Sequence, residues 1–414
     1  MTDFEHDLAV IGAGRIGLPW ATVLASVGDF SVTCVDVDEK RVREINEKIA
    51  PFQEPGLAEH LQDAVDRGHL RATSDETVVA DHEYVAFTTN APRNQMDRFI
   101  GIIKEYVEFL SEEQVIINRT TLPVHMIDRM QELLTGKLNE SPEFAVLPER
   151  LAEGKAIEEI KTLPKVVGVE TSNGEVRIRK LLEPLGGRLQ ITDPRTAMFV
   201  KLIDNTYRDA LFAIANQIAY SADVMNLDSQ DAIQLANEDY PRNDIPSPGP
   251  VGGKCLPKDP HFLMDETICD QPTTPDLFNT TRRTNSRLPN YVSTEILKER
   301  PSKVAILGLS YKAGVGDTFD SPAHDIKTIL VEQGVNVAAH DPRADEGVAN
   351  LETAIEDADV VVLATNHPEY AGIEAIINDR ANVDGIVYDL WGFLNREELA
   401  LTYNGFGIAE RRQY

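Results

Sequence analysis

The sequence predicts an α/β chain in which two doubly wound halves are joined by one long helix and a helical middle. Three observations predict it. Short apolar runs alternate with helix-period stretches from residue 7 onward, one unbroken helical pattern runs from Asp193 to about Met225, and a second strand-and-helix alternation opens at Lys303. At 414 residues, 42% of them hydrophobic, the chain exceeds a single core and can bury more than one. The divisions fall at 1–192, 193–299 and 300–414.

The first half opens with the apolar strand Asp7 to Ile11, the turn Gly12-Ala13-Gly14-Arg15-Ile16-Gly17, a helix through Val27, and a strand from Ser31 to Val35 that ends at Asp36. The glycines permit a tight turn and let the backbone approach a pyrophosphate at the helix N-terminus. Asp36 can accept from a ribose hydroxyl and would repel a 2′-phosphate, which favours NAD over NADP. Further strands are expected at Tyr84 to Thr88, Val115 to Asn118, Phe144 to Leu147 and Val166 to Val169, giving a parallel sheet with helices on both faces. Thr89, Asn90, Thr120, Thr121 and Glu149 follow those strands. Ligands of open α/β sheets sit beyond the carboxyl ends, so these residues are candidates to line a cofactor crevice.

The helix from Asp193 carries Val200, Ile203, Tyr207, Leu211, Ile214 and Ile218 at spacings of three and four. At about 1.5 Å per residue it spans roughly 50 Å, long enough to join two domains and offer a dimer surface. Lys201, Asn205 and Arg208 share one face at i, i+4 and i+7. Beyond it, I-P-S-P-G-P-V-G-G-K-C-L-P-K-D-P at 245–260 is too rich in proline and glycine for helix or strand. It predicts a rigid loop presenting Cys255, with Lys254 and Lys258 favouring the thiolate and Asp259 four residues on. A helical stretch from Asn279 to Glu299 carries Arg282.

The second α/β pattern has strands at Lys303 to Leu307, Val335 to His340, Val360 to Ala364 and Ile386 to Tyr388. It reads as a second Rossmann-like half without the dinucleotide fingerprint, and G-L-S-Y-K follows its first strand.

Composition narrows the function. Net charge is −28, from 68 acidic and 40 basic residues spread along the chain, which would repel nucleic acid and anionic membranes. No apolar run reaches the roughly 18 residues that cross a bilayer, and the start M-T-D-F-E-H-D lacks a signal-like core, so a cytoplasmic protein is expected. Three cysteines, Cys34, Cys255 and Cys269, without CxxC spacing or a Cys/His cluster, point away from disulfides and from a metal site. Cys34 and Cys269 read as structural.

One chain thus holds an NAD-type turn, the helix row K-L-I-D-N-T-Y-R, the loop G-G-K-C-L-P-K-D, P-E-R-L-A-E-G at 148–154, D-T-F-D-S-P-A at 317–323 and G-L-S-Y-K. Together these resemble the UDP-glucose/GDP-mannose dehydrogenase family over nearly the whole chain. The resemblance implies oxidation of C6 of a nucleotide sugar from alcohol to carboxylate with two NAD, the aldehyde staying bound. It makes Cys255 the nucleophile, Lys201 and Asn205 its polar neighbours, Asp259 the nearby carboxylate and Glu149 the acid of the P-E motif. Asp259, or a water held by it and Lys201, takes the hydroxyl proton; Glu149 or Asp259 activates the hydrolytic water. Beside the turn residues, Asp36 and Asn90, the resemblance puts Thr121, Glu153 and Lys258 at the cofactor. It puts Glu149, Arg150, Lys201 and Arg208 at the substrate, joined by Gly253, Arg282, Tyr311 and Lys312 from the later segments. Phe319 and Trp391 stand where the family usually has arginines that hold cofactor phosphates and part of the substrate.

The P-E-R motif, N-T-Y-R-D and the P-G-P-V-G-G loop resemble the branch that acts on UDP-N-acetylhexosamines, UDP-N-acetylmannosamine among them. UDP-glucose oxidation is the alternative, followed by a two-electron hydroxyacid dehydrogenase and a non-catalytic NAD or UDP-sugar binder. A homodimer through the long helix is expected. The acidic surface predicts a halophilic source, because self-repulsion destabilises the compact state until salt screens it. The melting temperature and activity are expected to rise between about 0.1 M and about 1 M salt; full activity and an unchanged melting temperature at low salt would contradict this.

Overall fold

The computed structural model describes residues 6–27, 30–138, 142–268, 277–347 and 350–408. Cys269 lies outside them. The chain divides into two compact units, Met1–Asp204 with Asp265–Asp270, and Asn205–Met264 with Gln271–Tyr414. The boundary falls inside the helix Pro194–Met225, which is continuous as the spacing predicts.

In the first unit eight strands are ordered β3-β2-β1-β4-β5-β6-β7-β8. They are β1 (His6–Ile11), β2 (Phe30–Val35), β3 (Leu70–Thr73), β4 (Tyr84–Phe87), β5 (Val115–Asn118), β6 (Glu143–Val146), β7 (Lys165–Val169) and β8 (Leu189–Thr192). Period-two alternation sends Leu8 and Val10 into one apolar layer and Ala9 and Ile11 into the other. Both faces are therefore covered, which is why the central strands read as unbroken apolar runs. Trp20 and Leu24 of the helix Gly17–Val27 fill the first layer; Phe99 and Ile103 of Met96–Val107 fill the second.

The expected all-parallel sheet is broken once, because β7 runs antiparallel to β6, pairing Ala145 with Val169 and Val146 with Gly168. An antiparallel neighbour starts at the edge where β6 ends, so the P-E-R-L-A-E-G loop and the helix Ala156–Thr162 stay at the carboxyl edge of the sheet. The edge strand β3 and strand β8 escaped the sequence reading because both are short and partly polar.

The second unit carries a parallel sheet ordered β10-β9-β11-β12-β13. Its strands are β9 (Lys303–Leu307), β10 (Asn336–His340), β11 (Val360–Leu363), β12 (Ile386–Asp389) and β13 (Thr402–Gly405). Val304 and Ile306 face one layer, Ala305 and Leu307 the other. Its first turn is closed by Asp341 at the end of β10. One carboxylate oxygen accepts from Leu309 N, Ser310 N, Ser310 Oγ and His367 Nε2, and the other from Arg343 N and Ala344 N. Burial works against the charge, but these donors outweigh it and hold the carboxyl well below the usual carboxylate range. His367 is fully buried and accepts Gly314 N–H at Nδ1, so its Nε2–H is the one that points to Asp341.

A depressed folded-state pKa gives stability that is complete above the unfolded value near 4 and is lost as pH falls below it toward the folded value. Asp341→Asn is therefore expected to cost about 2–3 kcal/mol at neutral pH, seen as a lower melting temperature, with the gap to the unsubstituted protein narrowing at pH 3. An equal gap at pH 3 and pH 7 would contradict the account.

Candidate active site

The first unit supplies a turn shaped for a dinucleotide. Gly12 has φ of +96°, and a side chain at Gly17 would overlap the Gly12 carbonyl oxygen and the Thr88 hydroxyl, so neither can be replaced without backbone movement. Gly14, in contrast, has nothing within 4 Å of a would-be side chain. Asp36 is buried; Oδ2 accepts Ala13 N at 2.7 Å and Oδ1 accepts Asp38 N at 2.9 Å. Arg15 of the turn forms an ion pair with Glu153 and lies 5.3 Å from the Phe52 ring centroid. Of the strand-end residues, Asn90 is exposed, Thr121 is half-buried, and Thr120 Oγ1 donates to Thr89 O at 2.9 Å.

Glu149 is buried and fully engaged. One oxygen is in an ion pair with buried Arg119, whose guanidinium lies 4.1 Å over the Trp20 ring, and the other accepts Arg150 N and Leu151 N. Arg150 Nε donates to Asp204 Oδ2 at 2.6 Å. Cys34 lies in β2, fully buried, its thiol pushed up to about 12 by burial and secondarily by Asp36, so it is an inert packing residue.

The second unit presents the cysteine loop. Asn216 of the long helix, fully buried, grips its start by donating to Gly249 O at 3.1 Å and accepting Gly249 N at 2.8 Å. The Trp391 ring lies so close that a side chain at Gly249 would stand 2.6 Å from it, while the indole N–H donates to Ala364 O at 2.9 Å. Further along, Gly253, at φ +85°, packs on the Tyr311 ring, where a side chain would approach to 2.7 Å. Lys254 Nζ is 2.7 Å from Asp317 Oδ2 and 5.4 Å from the Phe319 centroid, so its charge is answered by Asp317 rather than reserved for the thiolate.

Cys255 is exposed, in the turn leading into the helix Asp259–Ile268, and its carbonyl accepts Lys258 N and Asp259 N. Asp259 is fully buried. Its Oδ2 accepts Asn205 Nδ2 at 2.6 Å; Oδ1 has no hydrogen-bond partner among the described residues and lies 3.5 Å from Lys258 Nζ. Lys258 Nζ also stands 4.9 Å over the Phe262 ring.

Three family models match in series. The NAD binding domain of the UDP-glucose/GDP-mannose dehydrogenase family covers residues 6–186, the central domain 195–287 and the UDP binding domain 305–396. The chain belongs to the UDP-glucose/GDP-mannose dehydrogenase family. Among the relatives of this dehydrogenase are a UDP-N-acetyl-D-mannosamine dehydrogenase of Methanocaldococcus jannaschii, 32% identical over 94% of this chain and 93% of that one, and its namesake in Methanococcus maripaludis, 31% identical over 89% and 87%. A solved UDP-D-ManNAc dehydrogenase from Pyrococcus horikoshii superposes with a TM-score of 0.89 at 29% identity, covering 97% and 99%.

As a member of this family the dehydrogenase is an NAD-dependent enzyme acting on nucleotide sugars. Its glycine turn fits the cofactor. The open space at Gly14 admits a pyrophosphate to the backbone, and Asp36 keeps acceptor capacity for a ribose hydroxyl.

The structure does not treat all expected site residues alike. Lys201 and Asn205 are buried, but Arg208, on the same helical face by spacing, is exposed, and the buried polar row continues to Asp209. Arg282 is buried against Asp209 in an ion pair that Asn285 completes, its Nδ2 donating to Asp209 Oδ1 at 2.7 Å and its Oδ1 accepting from Asn216 Nδ2 at 3.0 Å. Burial raises the Asp209 carboxyl, and Arg282 and Asn285 work against that rise. Arg282 therefore braces two helices. Lys312 is exposed, as a ligand-facing lysine can be. Sequence reasoning missed Arg119, Asp209, Asn216 and Asn285. The available signal was a polar residue at an inward position, as where Asn216 interrupts the spacing of Ala213, Ala219 and Tyr220.

Proposed function

We propose that this dehydrogenase oxidises C6 of a UDP-N-acetylhexosamine, UDP-N-acetylmannosamine foremost, to the uronate through a covalent intermediate on Cys255. The names of its relatives at 31–32% identity favour that sugar. The observation that carries the chemistry is an exposed thiol four residues before a buried carboxylate tied to Asn205. We assign the cofactor to residues 1–192, the chemistry to 193–299 and the nucleotide sugar to 300–414.

Bound NAD supplies the two-electron acceptor for each of two oxidations. The Asp259 oxygen left without a hydrogen bond takes the C6 hydroxyl proton, directly or through a water. Cys255 Sγ adds to the aldehyde carbon to give a thiohemiacetal, and Lys201 and Asn205 stabilise the oxyanion. Oxidation of that adduct gives a thioester, which water cleaves to the carboxylate and the thiol. Asp259 is the better activator of that water. Both Glu149 oxygens are already bonded, so Glu149 shapes the P-E-R loop.

The long helix leaves Phe199, Ile203, Tyr207 and Ile214 exposed at spacings of four and seven, an apolar stripe that supports the homodimer.

Two NADH are expected for each UDP-N-acetylmannosamine consumed, in a panel with UDP-N-acetylglucosamine, UDP-glucose and GDP-mannose. Cys255→Ser is expected to lower uronate formation at least about a thousandfold while NADH binding, read by fluorescence, is unchanged. One NADH per sugar, or unaltered turnover in the variant, would defeat the reading, and a preference for UDP-glucose would transfer it to that substrate. Light scattering of the same preparation is expected to give a dimer; a monomer would reject the helix interface.

A further inference from the structure

We propose that Glu54 is a positioning residue for the glycine turn: it fixes the backbone around Glu153, and through Glu153 it sets the guanidinium of Arg15. The proposal rests on NAD binding by the first unit and concerns what prepares that site for its cofactor.

The segment P-E-R-L-A-E-G-K at 148–155 runs outside helix and strand, yet carboxylates hold its backbone N–H groups almost one by one. Glu149 accepts Arg150 N and Leu151 N, and Glu159 Oε2 accepts Ala152 N at 2.6 Å. Both acids belong to the segment or to the short helix after it. Glu54 does not. It lies 100 residues before Gly154, in P-F-Q-E-P-G at 51–56, between the helices Glu39–Asn46 and Leu57–Asp66. Its Oε2 accepts Gly154 N at 2.9 Å and its Oε1 accepts Ala156 N at 2.8 Å.

These two bonds bear on Glu153 in particular. Gly154, next to it, turns the chain at φ +85°, a conformation that glycine enters readily and also leaves readily unless it is tied. The helix Ala156–Thr162 begins one residue further on, and Lys155 at its capping position makes no side-chain capping bond. Glu54 supplies that cap from outside and ties Gly154 with the same carboxylate. Glu153 is thus presented from a fixed turn.

Glu153 forms its ion pair with Arg15, which stands directly after the second glycine of the cofactor turn. The loop of Glu54 also meets Arg15 itself, since Phe52, two residues before Glu54, has its ring centroid 5.3 Å from the guanidinium. A long side chain that a ligand must order costs affinity, and one ordered beforehand does not. Arg15 is ordered beforehand, by a carboxylate and by an aromatic face. Its side chain is still about one-third exposed, at the turn where a pyrophosphate would approach the backbone.

Glu54→Ala removes both bonds, and Glu54→Gln keeps one carbonyl oxygen that can accept an N–H. NADH affinity is measured by fluorescence and UDP affinity by calorimetry on the whole chain, unsubstituted, E54Q, E54A, E153A and E54A/E153A. E54A should weaken NADH about tenfold, the size of one charge-assisted hydrogen bond, and E54Q should weaken it less. E153A should lose at least as much as E54A, and E54A/E153A should bind NADH no more weakly than E153A, because Glu54 acts through Glu153. UDP affinity should stay the same throughout. A lower melting temperature with NADH affinity unchanged in E54A would make Glu54 a helix cap only and overturn the proposal. Additive losses in the double variant, no loss in E153A, or an equal loss of UDP affinity would overturn it too. Failure of the unsubstituted protein to bind NADH would instead overturn the cofactor reading beneath the proposal. Should E54A not fold, E54Q with and without E153A gives the same comparison.

Discussion

Asp259 is fully buried, and its bond to Asn205, at 2.6 Å, fixes the start of the helix after Cys255 against the long helix. A buried carboxylate is costly unless bonded, so the amide opposite it cannot drift without exposing that cost. The cysteine turn inherits this constraint, because Cys255 O accepts the N–H groups of Lys258 and Asp259. At the other end of the loop, Asn216 holds the Gly249 backbone at both polar atoms and Trp391 closes over the glycine. Two asparagines of one helix, three turns apart, thus fix both ends of a segment that has no regular structure between them.

The two Rossmann-like sheets use one device for different ends. In each, an acid after the second strand accepts backbone N–H groups from the first turn, Ala13 N in one and Leu309 and Ser310 N in the other. Asp341 gives one oxygen to that task, with buried His367 as a further donor, and the other to Arg343 N and Ala344 N just after it. Asp36 keeps an acceptor in hand and meets a mobile type of side chain, arginine, at the crevice edge. The first turn therefore has the chemistry to read a ribose, and the second has become a structural clasp. This agrees with the family division into an NAD binding and a UDP binding domain.

Much of this was legible in the sequence because it depends on period and backbone chemistry. The central strands, the glycine turn and the long helix follow from alternation, from positive φ and from spacings of three and four. The loop's irregularity follows from its prolines and glycines. What holds the loop was not legible, since Asn216 and Trp391 act through close approach of segments far apart in sequence. The exposure of Arg208 was not legible for a related reason. Periodicity assigns it to the face of Lys201 and Asn205, but which stretch of that face is covered depends on neighbours that periodicity does not carry. The resemblance that places Arg282 and Glu149 at the substrate carries nothing of the partners that hold them, Asp209 and Arg119. Lys254 likewise turns to Asp317.

The proposed mechanism depends on a covalent bond between Cys255 and the oxidised sugar. Mixing enzyme, NAD and UDP-N-acetylmannosamine, quenching in acid during turnover and measuring peptide masses tests it most directly. The peptide containing Cys255 should carry the mass of the sugar nucleotide acyl group, lost on treatment with hydroxylamine. Turnover to the uronate with that peptide unmodified at every quench time, or an adduct on another residue, would contradict the account.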